Sequence, residues 1–150
     1  MTTEPRVLIV ESNEVLRAML FTILRHQPVN VDTAVTAEDA LKKVNDCDYA
    51  LIVVDMDMPN GAGKMFVERF RDDRPAATTF VLAVRDPGDD GFLDPALVSA
   101  VLNKPLEIGL VAEIVRECAA VVPPPEEPLP CPPAESDIRL RMDRGSHIAN

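Results

Sequence analysis

The 150-residue chain has no apolar stretch near the roughly 20 residues that a membrane-spanning helix needs, so no membrane span is expected. Clustered metal ligands are missing too. Cys47, Cys118 and Cys131 are odd in number, widely spaced and without CxxC or Cys/His grouping, which suggests neither a disulfide framework nor a zinc site and reads as three free thiols. His26 and His147 each stand alone and are expected at the surface. Basic charge is scarce: 15 Lys and Arg against 25 Asp and Glu give a net charge of −10, which opposes direct nucleic-acid binding because phosphate contacts supply most of that affinity. A protein partner is the expectation instead. Five acids and three bases lie from residue 122 onward, leaving −8 on residues 1–121, so the acidity belongs to the part expected to fold. No charged-then-apolar leader is visible, since only four apolar residues separate Arg6 from Glu11, and a cytoplasmic location is expected.

Apolar residues at 47% and charged residues at 27% are globular values, and the length suits one domain with additions. Composition breaks at Val122. Seven of the eleven residues in 123–133 are proline, which forbids helix or central strand and predicts an extended linker. The expected organisation is a folded domain over 1–122, a Pro-rich linker over 123–133 and a flexible polar tail over 134–150. Arg139 to Arg144 has mixed charge compatible with a short helix.

Within the domain, short apolar runs alternate with segments of helical period. Residues 7–10 read as a buried strand, and Asn13 opens a helix with apolar positions Val15, Leu16, Met19, Leu20, Ile23 and Leu24. Residues 29–34 give a second strand, and Thr36, followed by Glu38 and Asp39, is an N-cap for a second helix. Residues 51–55 form a third strand, residues 62–72 a helix with Met65 and Phe66 as core filling, and residues 79–84 a fourth strand. The next helix is the weak one: Asp86-Pro-Gly-Asp-Asp-Gly-Phe-Leu-Asp-Pro leaves only 95–99 for a turn or two. Residues 100–103 make a short fifth strand, and 108–121 a closing amphipathic helix. Five such units predict an α/β fold, a doubly wound parallel sheet with helices on both faces.

In such a sheet, ligands gather at the C-terminal ends of the strands. Asp55 ends the run Leu51-Ile52-Val53-Val54, and Glu11, Asp57 and Lys104 follow neighbouring runs to the same edge. Two facing acids call for protonation of one or for a hard cation such as Mg²⁺, and Lys104 adds positive charge. The set suits a phosphoryl group, with Asp55 as nucleophile. Asp57 is expected to turn its side chain to solvent, as are Arg85 and Asp86.

The segments Val7-Leu-Ile-Val-Glu11-Ser-Asn, Asp55-Met-Asp-Met-Pro59-Asn-Gly-Ala-Gly63 and Asn103-Lys104-Pro105-Leu resemble the receiver domain of bacterial response regulators, from Arg6 to Val121. The resemblance implies a CheY-like, flavodoxin-like (βα)5 fold with strand order 2-1-3-4-5. It implies phosphoryl transfer to Asp55 from a histidine kinase or phosphotransfer protein, and phosphoryl contact by Lys104. Mg²⁺ would be held by Glu11, Asp55 and the backbone carbonyl of Asp57, and the Lys104–Pro105 bond would be cis. No organic cofactor and no enzymatic turnover are implied; output would pass to a downstream protein, with a homodimer one option, and the chain would stand alone without an output domain.

Departures from the family pattern weaken this expectation. Ser12 stands where a second acid is usual, so Mg²⁺ binding is expected to be weak. Ala83 replaces the usual Thr or Ser, Val84 replaces a smaller residue, and Val101 replaces the switch aromatic. A pseudo-receiver scaffold is therefore the alternative within the class. Outside it, Asp55-Met-Asp57 resembles the Asp-x-Asp motif of haloacid-dehalogenase-like phosphatases, although that motif follows a first strand. A flavodoxin-like cofactor binder would need a phosphate loop after the first strand, and none is present.

Overall fold

The computed structural model describes residues 4–137. His147, the 139–144 segment and the rest of residues 138–150 lie outside the described residues. Five strands, β1 (Arg6–Val10), β2 (Asn30–Ala34), β3 (Leu51–Asp55), β4 (Phe80–Arg85) and β5 (Ala100–Asn103), form one sheet in the order β2-β1-β3-β4-β5. All four pairings are parallel. Among the described residues no helix is long and apolar enough to cross a membrane.

Period-two alternation sorts the strand side chains into two cores. Leu8, Val10, Ile52, Val54, Val81 and Ala83 face α2 (Ala37–Asp46) and α3 (Ala62–Asp73). Val7, Ile9, Leu51, Val53, Leu82 and Val84 face α1 (Glu14–Leu24) and α4 (Ile108–Val121). Both faces of β3 are thus covered, which explains its unbroken apolar run and makes a carboxylate at its end conspicuous.

Helix starts follow their caps. Asn13 accepts the Leu16 amide at 2.9 Å, Thr36 accepts that of Asp39 at 3.1 Å, and Glu107 accepts those of Gly109 and Leu110. Periodicity overreached at two positions: Val15 is 78% exposed and Met65 is 41% exposed, Val15 sharing the solvent side of α1 with Ala18 and Thr22 and Met65 that of α3 with Glu68, Arg69 and Asp72. No helix forms between β4 and β5, where residues 86–99 offer only turns at 87–88 and 95–97. Arg71 of α3 pins this segment by donating to the Leu97 and Thr79 carbonyls.

The end of the described chain differs from the flexible tail expected from residue 134. Residues 129–132 lie against the end of α2, the loop after it and Arg6, and residues 135–136 against the outer edge of β2. Glu135 accepts hydrogen bonds from the amide and hydroxyl of Thr33, and Ser136 Oγ accepts the Val31 amide at 2.8 Å. Ala134 and Ser136 are buried. The physical reason is the unpaired side of an edge strand: its amides need acceptors, and this segment brings them.

Candidate functional site

Asp55 is 6% exposed at the mouth of β3, with its Oδ1 accepting from the Asp57 amide at 2.9 Å and from Lys104 Nζ at 3.0 Å. Lys104 arrives from β5, whose end is tied to β4 by the Lys104 amide on the Arg85 carbonyl. The peptide between Lys104 and Pro105 is cis, in line with expectation. Glu11 follows β1 and is 2% exposed, its Oε1 accepting the Asn13 amide at 2.8 Å. Three strand ends therefore deliver the expected Glu11, Asp55 and Lys104 to one crevice.

The turn after Asp55 is shaped by backbone requirements. Asn60 and Gly61 have φ of 61° and 65°, the left-handed region that Asn and Gly tolerate best. Gly63 then lets α3 start against Asp55, because a Cβ there would run into the Asp55 backbone carbonyl.

Charge in the crevice is strained. Burial first, then the adjoining Asp55, push the Glu11 carboxyl up to about 7, opposed by the Asn13 amide and by Lys104. Burial works to lower the Lys104 pKa, but hydrogen bonds and charge from Asp55 and Asp57 outweigh it and leave it raised.

Asp57 departs from its expected solvent orientation. Its Oδ2 lies 3.2 Å from Lys104 Nζ and accepts the Asp86 amide at 2.8 Å, so it links the β3 turn to the end of β4. Asp57 lies in the turn after β3, beyond the reach of the strand's period-two alternation, so spacing from Asp55 gives no signal for its direction. Arg85, expected in solvent, donates to the Gly91 carbonyl at 2.7 Å. Arg17 was not singled out, yet it holds the Glu11 and Ser12 carbonyls from α1. An Asp57 carboxylate committed to Lys104 and an amide is poorly placed as a general acid, which counts against the phosphatase alternative.

Among the described residues no group of three or more His, Cys, Asp or Glu side chains is arranged to hold a metal. What the crevice offers a cation is the carboxylates of Glu11 and Asp55, since that of Asp57 is committed to Lys104 and the Asp86 amide, and Ser12, next to Glu11 in the chain, is exposed. Two neighbouring buried acids, one with a raised pKa, fit a hard cation that keeps several waters. Val84 lies in register beside Asp55, and Ala83 sits one step back in the opposite core, so neither supplies a hydroxyl.

The sequence matches the response regulator receiver domain over residues 7–115. This chain belongs to that family. Receivers of this kind serve two-component signalling. The receiver is 29% identical over 85 residues to the transcriptional regulatory protein PmrA of Pectobacterium parmentieri, covering 57% of this chain and 38% of that protein. It is 31% identical over 108 residues to protein-glutamate methylesterase/protein-glutamine glutaminase 1 of Xanthomonas campestris pv. campestris, covering 69% and 30%. The chain thus spans well under half of either relative. Among solved structures, a sensor protein from Polaromonas sp. JS666 superposes with a TM-score of 0.69 at 24% identity, covering 79% of this chain and 98% of that one. The response regulator TrrA from Thermotoga maritima, in complex with Mg²⁺ and beryllium fluoride, gives 0.67 at 22% identity, covering 76% and 98%. These two likenesses show the fold.

Proposed function

We propose that this receiver accepts a phosphoryl group on Asp55 from the phosphohistidine of a histidine kinase or phosphotransfer protein. The observation that carries the reading is Lys104 Nζ at 3.0 Å from Asp55 Oδ1, with buried Glu11 beside the same carboxylate. In the transfer, a carboxylate oxygen of Asp55 attacks phosphorus, the P–N bond breaks, and its electron pair stays on the imidazole. An acyl phosphate results. Lys104 balances charge on the phosphoryl oxygens, and Asp57, already bonded to Lys104, positions it. Glu11, Asp55 and the Asp57 carbonyl would hold Mg²⁺, with Ser12 a weak or absent ligand; the ion would neutralise charge on the transferring group. The chemistry belongs to a cytoplasmic signalling module that passes its state to a downstream protein, not to a turnover enzyme.

Attenuated switching is part of the proposal, because Ala83 and Val84 bring no hydroxyl to the acyl phosphate and Val101 replaces the switch aromatic. The same observation favours a second reading, an unphosphorylated pseudo-receiver scaffold. Acetyl phosphate or beryllofluoride with Mg²⁺ separates them. The first reading expects a phosphoryl adduct by intact mass, absent from Asp55→Asn, with small chemical-shift changes confined to the crevice. No adduct and no Mg²⁺-dependent shift would leave the scaffold.

A further inference from the structure

Docking of residues 129–136 has a chemical consequence at its start. The segment first meets the loop between α2 and β3, where the Leu129 amide donates to Asp48 Oδ2 at 2.8 Å. Two residues on, Cys131 Sγ lies 3.7 Å from the Asp46 carbonyl. These two contacts bracket residue 47, which is itself a cysteine. Cys47 ends α2, with its amide on the Lys43 carbonyl, and is buried at 4% exposure, whereas Cys131 is exposed.

Further contacts hold the segment in this register. Arg6 donates to the Pro132 carbonyl at 2.6 Å, and the Glu135 amide donates to Asp32 Oδ1 at 2.9 Å. Asp32 is in turn fixed through Oδ2 by Arg6 Nε and the Tyr49 hydroxyl, both at 2.7 Å. Glu135 also pairs with Lys43 Nζ at 3.2 Å. Anchors therefore stand on both sides of Cys131, and prolines at 130, 132 and 133 limit the backbone states between them. The third cysteine is excluded by topology. Cys118 packs in the core on the α1 and α4 side of the sheet, and Cys47 in the core on the α2 and α3 side.

We propose that Cys47 and Cys131 are a thiol pair that closes to a disulfide, locking residues 129–136 against the end of α2 and the β2 edge in response to a small-molecule disulfide. The exposed Cys131 thiolate attacks one sulfur of the oxidant, whose S–S bond breaks and releases one thiolate. The Cys47 thiolate then attacks Cys131 Sγ and expels the second. Two protein thiols lose two electrons, the oxidant becomes two thiols, and the two cysteine protons pass to them. Burial first, then the neighbouring Cys131 thiol, push the Cys47 thiol up to about 12, so the second step quickens with rising pH. In a reducing compartment the pair rests as thiols, and closure marks a shift in redox poise.

The test uses the full chain carrying Cys118→Ser, equilibrated in mixtures of reduced and oxidised glutathione, acid-quenched, alkylated and mapped without reduction. The expected product is a monomer with a Cys47–Cys131 linked peptide, a raised melting temperature, and neither feature in Cys131→Ser. Glu135→Lys, which sets a lysine against Lys43 and removes the Thr33 contacts, is expected to need an oxidised-to-reduced ratio at least about tenfold higher for half closure. Recovery of Cys131 only as a glutathione adduct or an intermolecular dimer, with Cys47 protected until denaturation, would overturn the pair. An unchanged ratio in Glu135→Lys would overturn the docked segment as the element that positions it.

Discussion

Glu11 titrates against its own fold. Below pH 4.5 it is protonated in folded and unfolded chains alike; between 4.5 and about 7 the unfolded chain has released its proton while the folded chain keeps it. Stability contributed by the protonated form is therefore complete below 4.5 and lost as pH rises to about 7. At about 1.4 kcal/mol per pH unit the loss amounts to ~3 kcal/mol in metal-free buffer, readable from urea midpoints across that range. Glu11→Gln is expected to remove most of the slope. Because Lys104 holds the Glu11 pKa down, Lys104→Met is expected to raise it further, which carboxyl-carbon NMR titration would register. At this scale Asp55, Glu11 and Lys104 were legible, since acids and bases that directly follow apolar runs are placed by topology alone. Asp57's carboxylate was not: its partners, Lys104 and the Asp86 amide, come from two other strands, and no local pattern announces that convergence.

Elements follow their boundary chemistry more closely than their interior pattern. Thr36 was readable as a cap from its position before Glu38 and Asp39, and Thr36→Ala is expected to cost about 1 kcal/mol of stability by chemical denaturation. Gly63 fell inside the expected helix over 62–72, but its reason was not legible there: it sits at the first turn of α3 against the Asp55 carbonyl. Gly63→Ala is expected to cost about 1–3 kcal/mol and to lower phosphoryl uptake, because relief comes only by moving α3 or the end of β3. The absent helix between β4 and β5 was legible as a concentration of proline and glycine. Its replacement, a segment held by Arg71 through the Leu97 carbonyl, was not, since that arginine lies on a helix 26 residues away in sequence.

Across the whole molecule, the sheet order was implied by the family likeness, and the two-core arrangement follows from alternation along five short strands. The seat of residues 129–136 escaped the sequence because proline-rich composition says what a segment cannot form, while β2's open amides and the Asp32–Arg6–Tyr49 cluster that receive it lie about 100 residues earlier. A chain stopped after Val122 is expected to lose about 1–3 kcal/mol, through unsatisfied polar groups at β2, and to self-associate more readily by light scattering. That same seat has a bearing on biosynthesis. Val31 and Ser136 are 105 residues apart, so at ~5–20 residues per second the outer side of β2 waits on the order of 5–20 s after its own synthesis for its cover to be made. A nascent receiver thus passes through a period in which every other strand has been translated while one sheet edge is still open to whatever meets it first, a chaperone or a neighbouring nascent chain.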